Sequence, residues 1–309
     1  MIHGKKILIT GGAGFLGSFV TERLAPRNPV TVLDDLSTGS LGNLAGARCC
    51  FVRGHVWDAR ALDMLKRGRF DFVLHLAANA YIPSSVKDPA YDFDNNLVQP
   101  FRLLDFVRGL KKKPRLLFFS SAAVHGDTRC FPMRETDRPV PVSPYGAGKM
   151  ALEHYASVYA RCYGIPAQVI RLYPMFGPRQ RKQVFYDLMV KIAAPGPRVA
   201  VFGTGREVRD FIYVEDAAAG VERILEVAAF TGGCVNLCSG RGRSITEVAE
   251  ALMAAMNVRK RLAYTRALRP GDVDKMAGSV LRLKEMKALF RTPFTECVRK
   301  TVSWFQASQ

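Results

Sequence analysis

Thr10-Gly11-Gly12-Ala13-Gly14-Phe15-Leu16-Gly17 is the stretch of this 309-residue chain that decides its fold. A short apolar run precedes it, and residues 18–24 read as a helix, so its glycines lie where a strand turns into a helix. Glycine permits so tight a turn and lets a pyrophosphate reach the free N–H groups at the helix N-terminus. The Gly-x-x-Gly-x-x-Gly spacing differs from the commonest dinucleotide pattern, so a glycine-rich turn without a ligand is the alternative.

An acidic pair follows the second predicted strand and supports the dinucleotide interpretation. Asp34 and Asp35 come directly after Thr31-Val32-Leu33. A carboxylate about 20 residues beyond the glycines accepts hydrogen bonds from the adenosine ribose. Its charge also repels a 2′-phosphate, which favours NAD over NADP. Either aspartate could instead cap the following loop.

Composition indicates a globular protein with one large or two modest domains. Hydrophobic residues make up 48% of the chain, and the most apolar stretch, near residues 116–119, is far too short to span a bilayer. The N-terminal apolar run ends at once in Gly11-Gly12, unlike a signal peptide, so we expect a cytoplasmic protein without membrane association. The seven cysteines contain no Cys-x-x-Cys pair and are expected to be reduced and buried. The five histidines lack ligand spacing, so no metal is expected.

The chain is strongly basic, with 45 Lys and Arg against 27 Asp and Glu and a net charge of +18. Such a charge attracts anions in general. The basic residues are scattered and form no nucleic-acid recognition module, so no nucleic acid is expected. An anionic small substrate such as a nucleotide sugar accounts for the excess equally well.

Strands and helices alternate in the first half, which predicts an α/β fold with a Rossmann-type, doubly wound parallel sheet. We expect a NAD-binding domain over 1–172, to which a segment near 208–238 returns, and a smaller C-terminal α/β substrate domain over 173–309. The predicted strands cover residues 7–10, 30–33, 49–53, 72–76, 115–120 and 168–172, and the predicted helices include 62–66, 96–108, 145–162, 184–193 and 216–229. Ser244 and Glu247 form a capping-box pattern that opens a further helix.

Tyr145 and Lys149 are four residues apart on a predicted helix and therefore share a face. A free tyrosine is too weakly acidic to serve as a base at neutral pH, but a neighbouring ammonium group favours the phenolate. Such a tyrosine can take the proton from a sugar hydroxyl while hydride leaves the carbon. Ser121, at the end of the fifth strand, can hydrogen-bond the reacting oxygen. The alternative is a chance Tyr-x-x-x-Lys and two serines that merely end a strand.

These motifs belong to a longer series of motifs that occur in a fixed order along the chain. They are Gly-Gly-Ala-Gly-Phe-Leu-Gly at 11–17, Leu-Asp-Asp-Leu-Ser-Thr-Gly at 33–39, Leu-Ala-Ala at 76–78, Ser-Ser-Ala-Ala-Val-His-Gly at 120–126, Ser-Pro-Tyr-x-x-x-Lys at 143–149, Gly-Pro-Arg-Gln at 177–180, Arg-Asp-Phe-x-Tyr-Val-x-Asp at 209–216 and Arg-Pro-Gly-Asp at 269–272. With them the chain resembles the extended short-chain dehydrogenase/reductases, in particular their NAD-dependent sugar-nucleotide epimerase/dehydratase group and its UDP-glucose 4-epimerase-like members. The resemblance runs from residue 6 to about residue 288.

The resemblance implies a set of site residues. The catalytic ones are Ser121, Tyr145 and Lys149. Those expected to line the NAD site are Gly11, Gly14, Phe15, Leu16, Gly17, Asp34, Asp35, Ser37, Thr38, Gly39, His55, Val56, Leu76, Ala77, Ala78, Asn96, Ser120, Tyr145, Lys149 and Tyr173. Those expected to bind the substrate are Ala80, Ser121, Ala122, His125, Tyr145, Pro174, Arg209, Arg269 and Asp272. Arginine suits a diphosphate because its donors bind in pairs. The alternative for Arg209 is an ion pair with Asp210 or Asp216.

Three positions depart from the pattern of this family. His55 replaces the usual aspartate after the third strand, so contact with adenine is expected from Val56 or the backbone. His125 replaces a tyrosine beside the sugar pocket. Pro174 replaces an asparagine that usually touches the substrate.

The family pattern implies a reaction as well. Related dehydratases carry an Asp-Glu pair where this chain has Ala122 and Ala123, which can neither donate nor accept a proton. Asp127 and Glu135 are expected to be solvated in a surface turn. The sequence therefore favours a 4-epimerase that acts on a nucleoside-diphosphate sugar, UDP-linked, through a transient 4-keto intermediate.

Two rival functions and an oligomeric state complete the expectations. The nearest rival is a dehydratase, decarboxylase or reductase of the same family. A rival from another class is a non-catalytic NAD-binding protein that uses its basic surface for RNA or protein. The family also implies a homodimer built from helices near 96–108 and 145–162.

Overall fold

A parallel sheet of seven strands forms the centre of the molecule, which the computed structural model describes over residues 2–267 and 270–309. The strands of the described residues are β1 (Ile7–Thr10), β2 (Val30–Asp34), β3 (Cys50–Arg53), β4 (Phe72–His75), β5 (Arg115–Ser121), β6 (Ala167–Leu172), β7 (Met175–Phe176), β8 (Arg198–Val201), β9 (Val208–Asp210), β10 (Ile212–Tyr213), β11 (Thr231–Leu237), β12 (Gly242–Ser244), β13 (Arg261–Tyr264) and β14 (Lys275–Met276). The order of the central sheet is β11-β6-β5-β4-β1-β2-β3, and all neighbouring strands run parallel.

Helices cover both faces of this sheet. They are α1 (Phe15–Leu24), α2 (Ala59–Arg67), α3 (Ile82–Lys87), α4 (Pro89–Phe93), α5 (Gln99–Arg108), α6 (Pro144–Tyr163), α7 (Gln183–Ala193), α8 (Val214–Val227), α9 (Ile245–Ala255), α10 (Leu281–Glu285) and α11 (Phe294–Ala307). Short 3₁₀ turns lie at Leu41–Leu44 and Ala122–Val124. Across the described residues, no helix is long and apolar enough to cross a membrane.

The predicted fold class is confirmed. All six predicted strands are present, each within one residue of its expected ends, and the seventh strand, β11, comes from the segment that was expected to return to the sheet. Successive residues of β1 enter opposite cores: Ile7 and Ile9 pack on one face of the sheet and Leu8 on the other. The core on the Ile7 side continues through α8 into α9 and α11, which joins the C-terminal elements to the sheet.

The predicted helix at 96–108 differs from the structure. A π-helical segment, Asp94–Val98, precedes α5. Pro100 lies within the first turn of α5, and because proline has no N–H, the α-helical hydrogen bond to the carbonyl of Asn96 cannot form. A local change of winding follows, of the kind that often marks functional sites.

The cysteines are less buried than the sequence predicts. All seven are free thiols, but Cys50, Cys130 and Cys162 are exposed, and Cys238 and Cys297 are the two that are buried. Cys50 begins the edge strand β3, and Cys162 lies in the last turn of α6. Both positions are at the margin of the core, so the small apolar side chain is not covered there.

Helix α6 is fixed to the sheet by a buried ion pair. The Glu153 carboxylate accepts two hydrogen bonds from Arg171 of β6, from Nε at 2.9 Å and from Nη2 at 2.7 Å. The Ser120 hydroxyl of β5 donates a third, at 2.6 Å. Tyr145, Lys149 and Glu153 are spaced by four residues, so this pair sets the face that α6 presents to the end of β5.

Candidate active site

The carboxyl ends of β1 and β4 meet at the point where the strand order reverses, which is where open α/β sheets bind ligands. Gly11 leaves β1 there with φ of 71°, a conformation that favours glycine. A Cβ on Gly11 would lie 2.6 Å from the backbone nitrogen of Ala77, just beyond β4. The two backbone segments can approach this closely only because residue 11 has no side chain.

The N-terminus of α1 opens into this crevice and fits a dinucleotide pyrophosphate. Its N-cap is Gly14, which supplies no side-chain cap, and its first turn has no acidic residue. The terminal N–H groups are therefore free for an anion. A Cβ on Gly14 would meet only the Gly11 carbonyl, at 3.1 Å, whereas a Cβ on Gly17 would lie 2.2 Å from the same oxygen. Gly17 is thus required by packing, and Gly14 leaves its face open.

The two aspartates after β2 have different environments. Asp34 is buried and accepts backbone hydrogen bonds from Ala13, at 2.9 Å, and Leu36, at 2.9 Å. Each of its oxygens keeps a further acceptor site, which suits the two hydroxyls of a ribose. Burial raises the pKa of Asp34. Asp35 is exposed and accepts from the backbone and hydroxyl of Ser37, so it caps the loop.

The other predicted cofactor positions follow the same sheet edge. Gly39 packs against the turn, since a Cβ there would lie 2.9 Å from the Ala13 carbonyl carbon. His55 donates its backbone N–H to Asp58, and Val56 beside it is buried. The remaining members, Phe15, Leu16, Ser37, Thr38, Leu76, Ala77 and Ala78, begin α1 or follow β2 and β4.

Ser121, Tyr145 and Lys149 are brought together where β5 ends and α6 begins. The Lys149 Nζ lies 5.7 Å from the centre of the Tyr145 ring and donates to the Phe119 carbonyl at 3.0 Å. Burial raises the pKa of Tyr145 to about 12, and the Ser121 hydroxyl opposes that shift. Burial lowers the pKa of Lys149 to about 8. The geometry therefore joins a buried phenol, a buried amine and a serine at one point.

Sequence reasoning missed a buried carboxylate at this point. Asp92 of α4 is 1% exposed, and its Oδ1 accepts from Asn96 Nδ2 at 2.8 Å. Its other oxygen, Oδ2, and the Asn96 Oδ1 are buried without a partner. The Asp92 charge raises the pKa values of both Tyr145 and Lys149. The signal that pointed to it was the four-residue spacing from Asn96, a predicted site residue.

Further predicted site residues lie at or just beyond the ends of β5 and β6. Ser120 donates to Glu153 and so supports α6. His125 is fully buried, with Nε2 3.4 Å from Arg171, and burial beside this guanidinium lowers the His125 pKa to about 4. Tyr173 is buried with no partner for its hydroxyl. The remaining predicted substrate positions nearby are Ala80, Ala122 and Pro174.

Two sequence interpretations of site residues need correction. Arg209 does not pair with Asp210 or Asp216: its Nη2 lies 2.6 Å from Asp272, which had been predicted as a neighbour in the substrate site. The second correction concerns Glu135, whose side chain is buried and not solvated. Arg269 falls outside the described residues.

The Glu135 side chain is 5% exposed, because two partners hold it in place. One carboxylate oxygen accepts from the Asn236 backbone at 2.9 Å, and the other lies 3.8 Å from Arg282. Both partners are distant in sequence. Over the part of the chain that the structure describes, no group of three or more His, Cys, Asp or Glu could hold a metal ion.

The fold and the site define a dinucleotide-dependent enzyme of the extended short-chain dehydrogenase/reductase type. The comparisons agree, since residues 7–238 match the model of the NAD dependent epimerase/dehydratase family. The chain belongs to that family, whose cofactor is NAD.

Relatives within the family carry two activities. The chain is 35% identical over 267 residues to a UDP-glucose 4-epimerase of Streptomyces lividans, with 80% of each chain covered. It is 32% identical to a dTDP-glucose 4,6-dehydratase of an Actinoplanes species, with 98% of each covered. The UDP-glucose 4-epimerase of Thermus thermophilus, solved with NAD, superimposes with a TM-score of 0.87 at 32% identity, over 98% of this chain and 100% of that one.

The two aspartates after β2 provide a test of the cofactor site. We expect Asp34→Ala to weaken NAD⁺ binding roughly tenfold or more, because hydrogen bonds to a charged group are lost. The same change should narrow the preference for NAD⁺ over NADP⁺. Calorimetric titration of both cofactors measures this, with thermal unfolding as a check because Asp34 also supports the turn. Asp35→Ala is the matched control and should bind NAD⁺ almost as the wild type does; equal losses in both variants would contradict the assignment.

Proposed function

We propose that the protein is a 4-epimerase of nucleoside-diphosphate sugars, with UDP-linked sugars as the substrate class. The observation that carries this proposal is the meeting of Tyr145, Lys149 and Ser121 at the end of β5, directly followed by Ala122 and Ala123. The first three groups can open and close a carbonyl at C4. The two alanines supply no acid or base for a further step.

Tyr145 takes the proton of the 4-hydroxyl and later returns it. Ser121 hydrogen-bonds the same oxygen and holds it against the phenol. NAD, when bound at the α1 turn, supplies the hydride acceptor and donor. The 4-keto sugar must then turn over in the pocket so that its other face is reduced, and the Tyr145 phenol returns its proton to the oxygen at C4 to complete the alcohol.

The local charges govern the readiness of Tyr145. Burial works against the phenolate, and a protonated Lys149 nearby works in its favour. The pKa of Lys149, at about 8, leaves its ammonium form predominant at neutral pH. Asp92 supports that form, since its charge raises the Lys149 pKa. The same Asp92 charge also raises the pKa of Tyr145, which works against the phenolate.

Elimination from the sugar needs an acid and a base that this site does not offer in the usual place. Glu135 is engaged by Asn236 and Arg282 and is not free for proton transfer. Asp92 keeps a free oxygen, so it is a buried carboxylate beside the catalytic residues that could support the rival dehydratase reaction.

The two parts of the chain divide the binding. We propose that residues 1–172, with the returning segment 208–238, bind NAD and that residues 173–309 bind the nucleotide sugar. Arg209, whose Nη2 lies 2.6 Å from Asp272, is the arginine that we propose for the diphosphate. We also propose a cytoplasmic location, supported by seven cysteines that are all free thiols.

We further propose a homodimer formed through α5 and α6. Tyr155, Val158 and Tyr163 of α6 are between 42% and 48% exposed, on a face that a second copy would cover. Phe101 of α5 lies against Tyr155, with ring centres 5.0 Å apart, and extends the same apolar surface.

A charge in this surface tests the dimer. We expect Val158→Glu to convert the dimer to a monomer in analytical ultracentrifugation, because it would bury a carboxylate without a partner. Val190→Glu, on α7 and 44% exposed, is the matched control and should leave the mass unchanged. A monomeric wild type would refute the proposal.

Removal of the Tyr145 hydroxyl tests the proton transfer. Tyr145→Phe should retain fold and NAD binding and lower turnover of UDP-glucose by about 10²-fold or more, the scale of a lost general base. Tyr155→Phe, at an exposed position of the same helix, should turn over normally. Near-wild-type turnover of a folded Tyr145→Phe protein would show that another group takes the proton.

Asp92→Asn tests the electrostatic role of the buried carboxylate. Without its charge, the pKa values of Tyr145 and Lys149 both fall. Both limbs of the kcat/KM profile, which report the titrations of these two groups, should therefore move to lower pH. Asp94→Asn is the control, since Asp94 is exposed two residues away. A profile that stays in place, or moves to higher pH, would exclude this role.

Isotope exchange at C5 distinguishes epimerisation from elimination. In deuterated water, UDP-glucose should be converted to its C4 epimer with no deuterium at C5, because no base withdraws that proton. NMR of the recovered sugars shows this directly. Deuterium at C5, or release of a 4-keto-6-deoxy sugar, would establish the dehydratase reaction and point to Asp92 as its base.

A further inference from the structure

A basic groove lies on the C-terminal part of the chain, and none of its lining residues is a predicted NAD-site residue. It has a volume of about 510 Å³ and is lined by Pro197, Arg198, Arg259, Lys260 and Arg261. Strands β8 and β13 form its floor and pair in parallel with Arg198 opposite Arg261. Four cationic side chains therefore share one concavity.

The groove is a built feature of the fold. Lys260 Nζ donates to the Ala194 carbonyl, and the Arg261 N–H donates to the Pro197 carbonyl at 2.9 Å. These bonds fix the loop between α7 and β8 against the start of β13. An ammonium group has three donors, so Lys260 keeps two for a ligand.

The positive charges in the groove lack a counter-charge. Within residues 2–267 and 270–309, none of the four side chains forms an ion pair. Like charges directly opposite each other on neighbouring strands are destabilising, so the Arg198–Arg261 pair costs the fold free energy. A bound anion would offset this cost.

We propose that this groove binds a small polyphosphate anion, such as the di- or triphosphate group of a nucleotide. Neighbouring strands lie about 4.8 Å apart, so the two guanidinium groups project side by side. Each can hold phosphate oxygens in a bidentate manner, and consecutive phosphates match the pair.

None of the residues that line the groove belongs to the predicted catalytic, cofactor or substrate site. Nucleic acid is the less favoured ligand, because its binding surfaces extend along a stripe of phosphates, whereas these cations cluster around the starts of β8 and β13.

Titration calorimetry with inorganic tripolyphosphate tests the proposal. The NAD-loaded protein is saturated with UDP, so that phosphate sites in the catalytic region are filled. We expect one tripolyphosphate per chain. Arg198→Gln/Arg261→Gln should bind roughly tenfold more weakly or worse, because two charged hydrogen-bond donors are lost. Arg198→Lys/Arg261→Lys keeps the charge but loses the bidentate guanidinium geometry. Its affinity for tripolyphosphate should lie between those of the wild type and the glutamine variant.

Arg60→Gln/Arg299→Gln is the matched control, since it removes the same charge from exposed positions on α2 and α11. It should bind as the wild type does. Tighter binding of ATP than of tripolyphosphate would identify a nucleotide as the source of the phosphates, and equal binding an inorganic one. Absence of binding, equal weakening in the control, or binding of single-stranded RNA through Arg198 and Arg261 without binding of tripolyphosphate would each overturn the proposal.

Discussion

The buried ion pair between Glu153 and Arg171 is the interaction on which the geometry of the site depends. Both side chains are nearly removed from water, at 11% and 5% exposure. Loss of one partner from such a pair costs about 3–5 kcal/mol, against a total stability of about 5–15 kcal/mol for a typical domain. The pair joins α6 to β6, and the Ser120 hydroxyl adds β5 to the same carboxylate. Tyr145 and Lys149 extend from the face of α6 that this contact selects.

A second constraint comes from the close approach of the two backbone segments at Gly11 and Ala77. Tyr145, Lys149 and His75 are buried near this sheet edge, and electrostatic interactions are stronger in the protein interior than in water. Burial therefore moves the pKa values of Tyr145, Lys149 and His75 away from their ordinary values, to about 12, 8 and 3. His75 remains neutral and shares a hydrogen bond with Thr10 at 2.8 Å. The same burial that shapes the site also sets its protonation states.

The positively charged side chains differ in whether the fold pairs them with a carboxylate. Many cations are neutralised locally: Arg23 and Arg27 both pair with Glu222, and Arg179 pairs with Glu22. The four cations of the β8–β13 groove are not. A net charge of +18 thus says little by itself, because its chemical meaning depends on which cations the fold leaves without a counter-charge.

The sequence by itself determined the features that depend on local geometry. A strand, a glycine turn and a helix are decided over a few residues, so the crevice at Gly11 and the placement of Asp34 were predictable. The four-residue period of a helix was enough to place Tyr145 and Lys149 together. Alternation of strands and helices was enough for the parallel sheet.

The tertiary structure alone decided the features that depend on partners distant in the chain. Glu135 reads as a loop residue, but Asn236 and Arg282 hold it in the interior. Arg209 has two acidic residues close in sequence, yet Asp272 is its partner. Asp92 lies close enough to Tyr145 and Lys149 to raise their pKa values only because α4 packs beside α6. Such contacts are set by the packing of whole elements, and no local pattern of residue types carries that information.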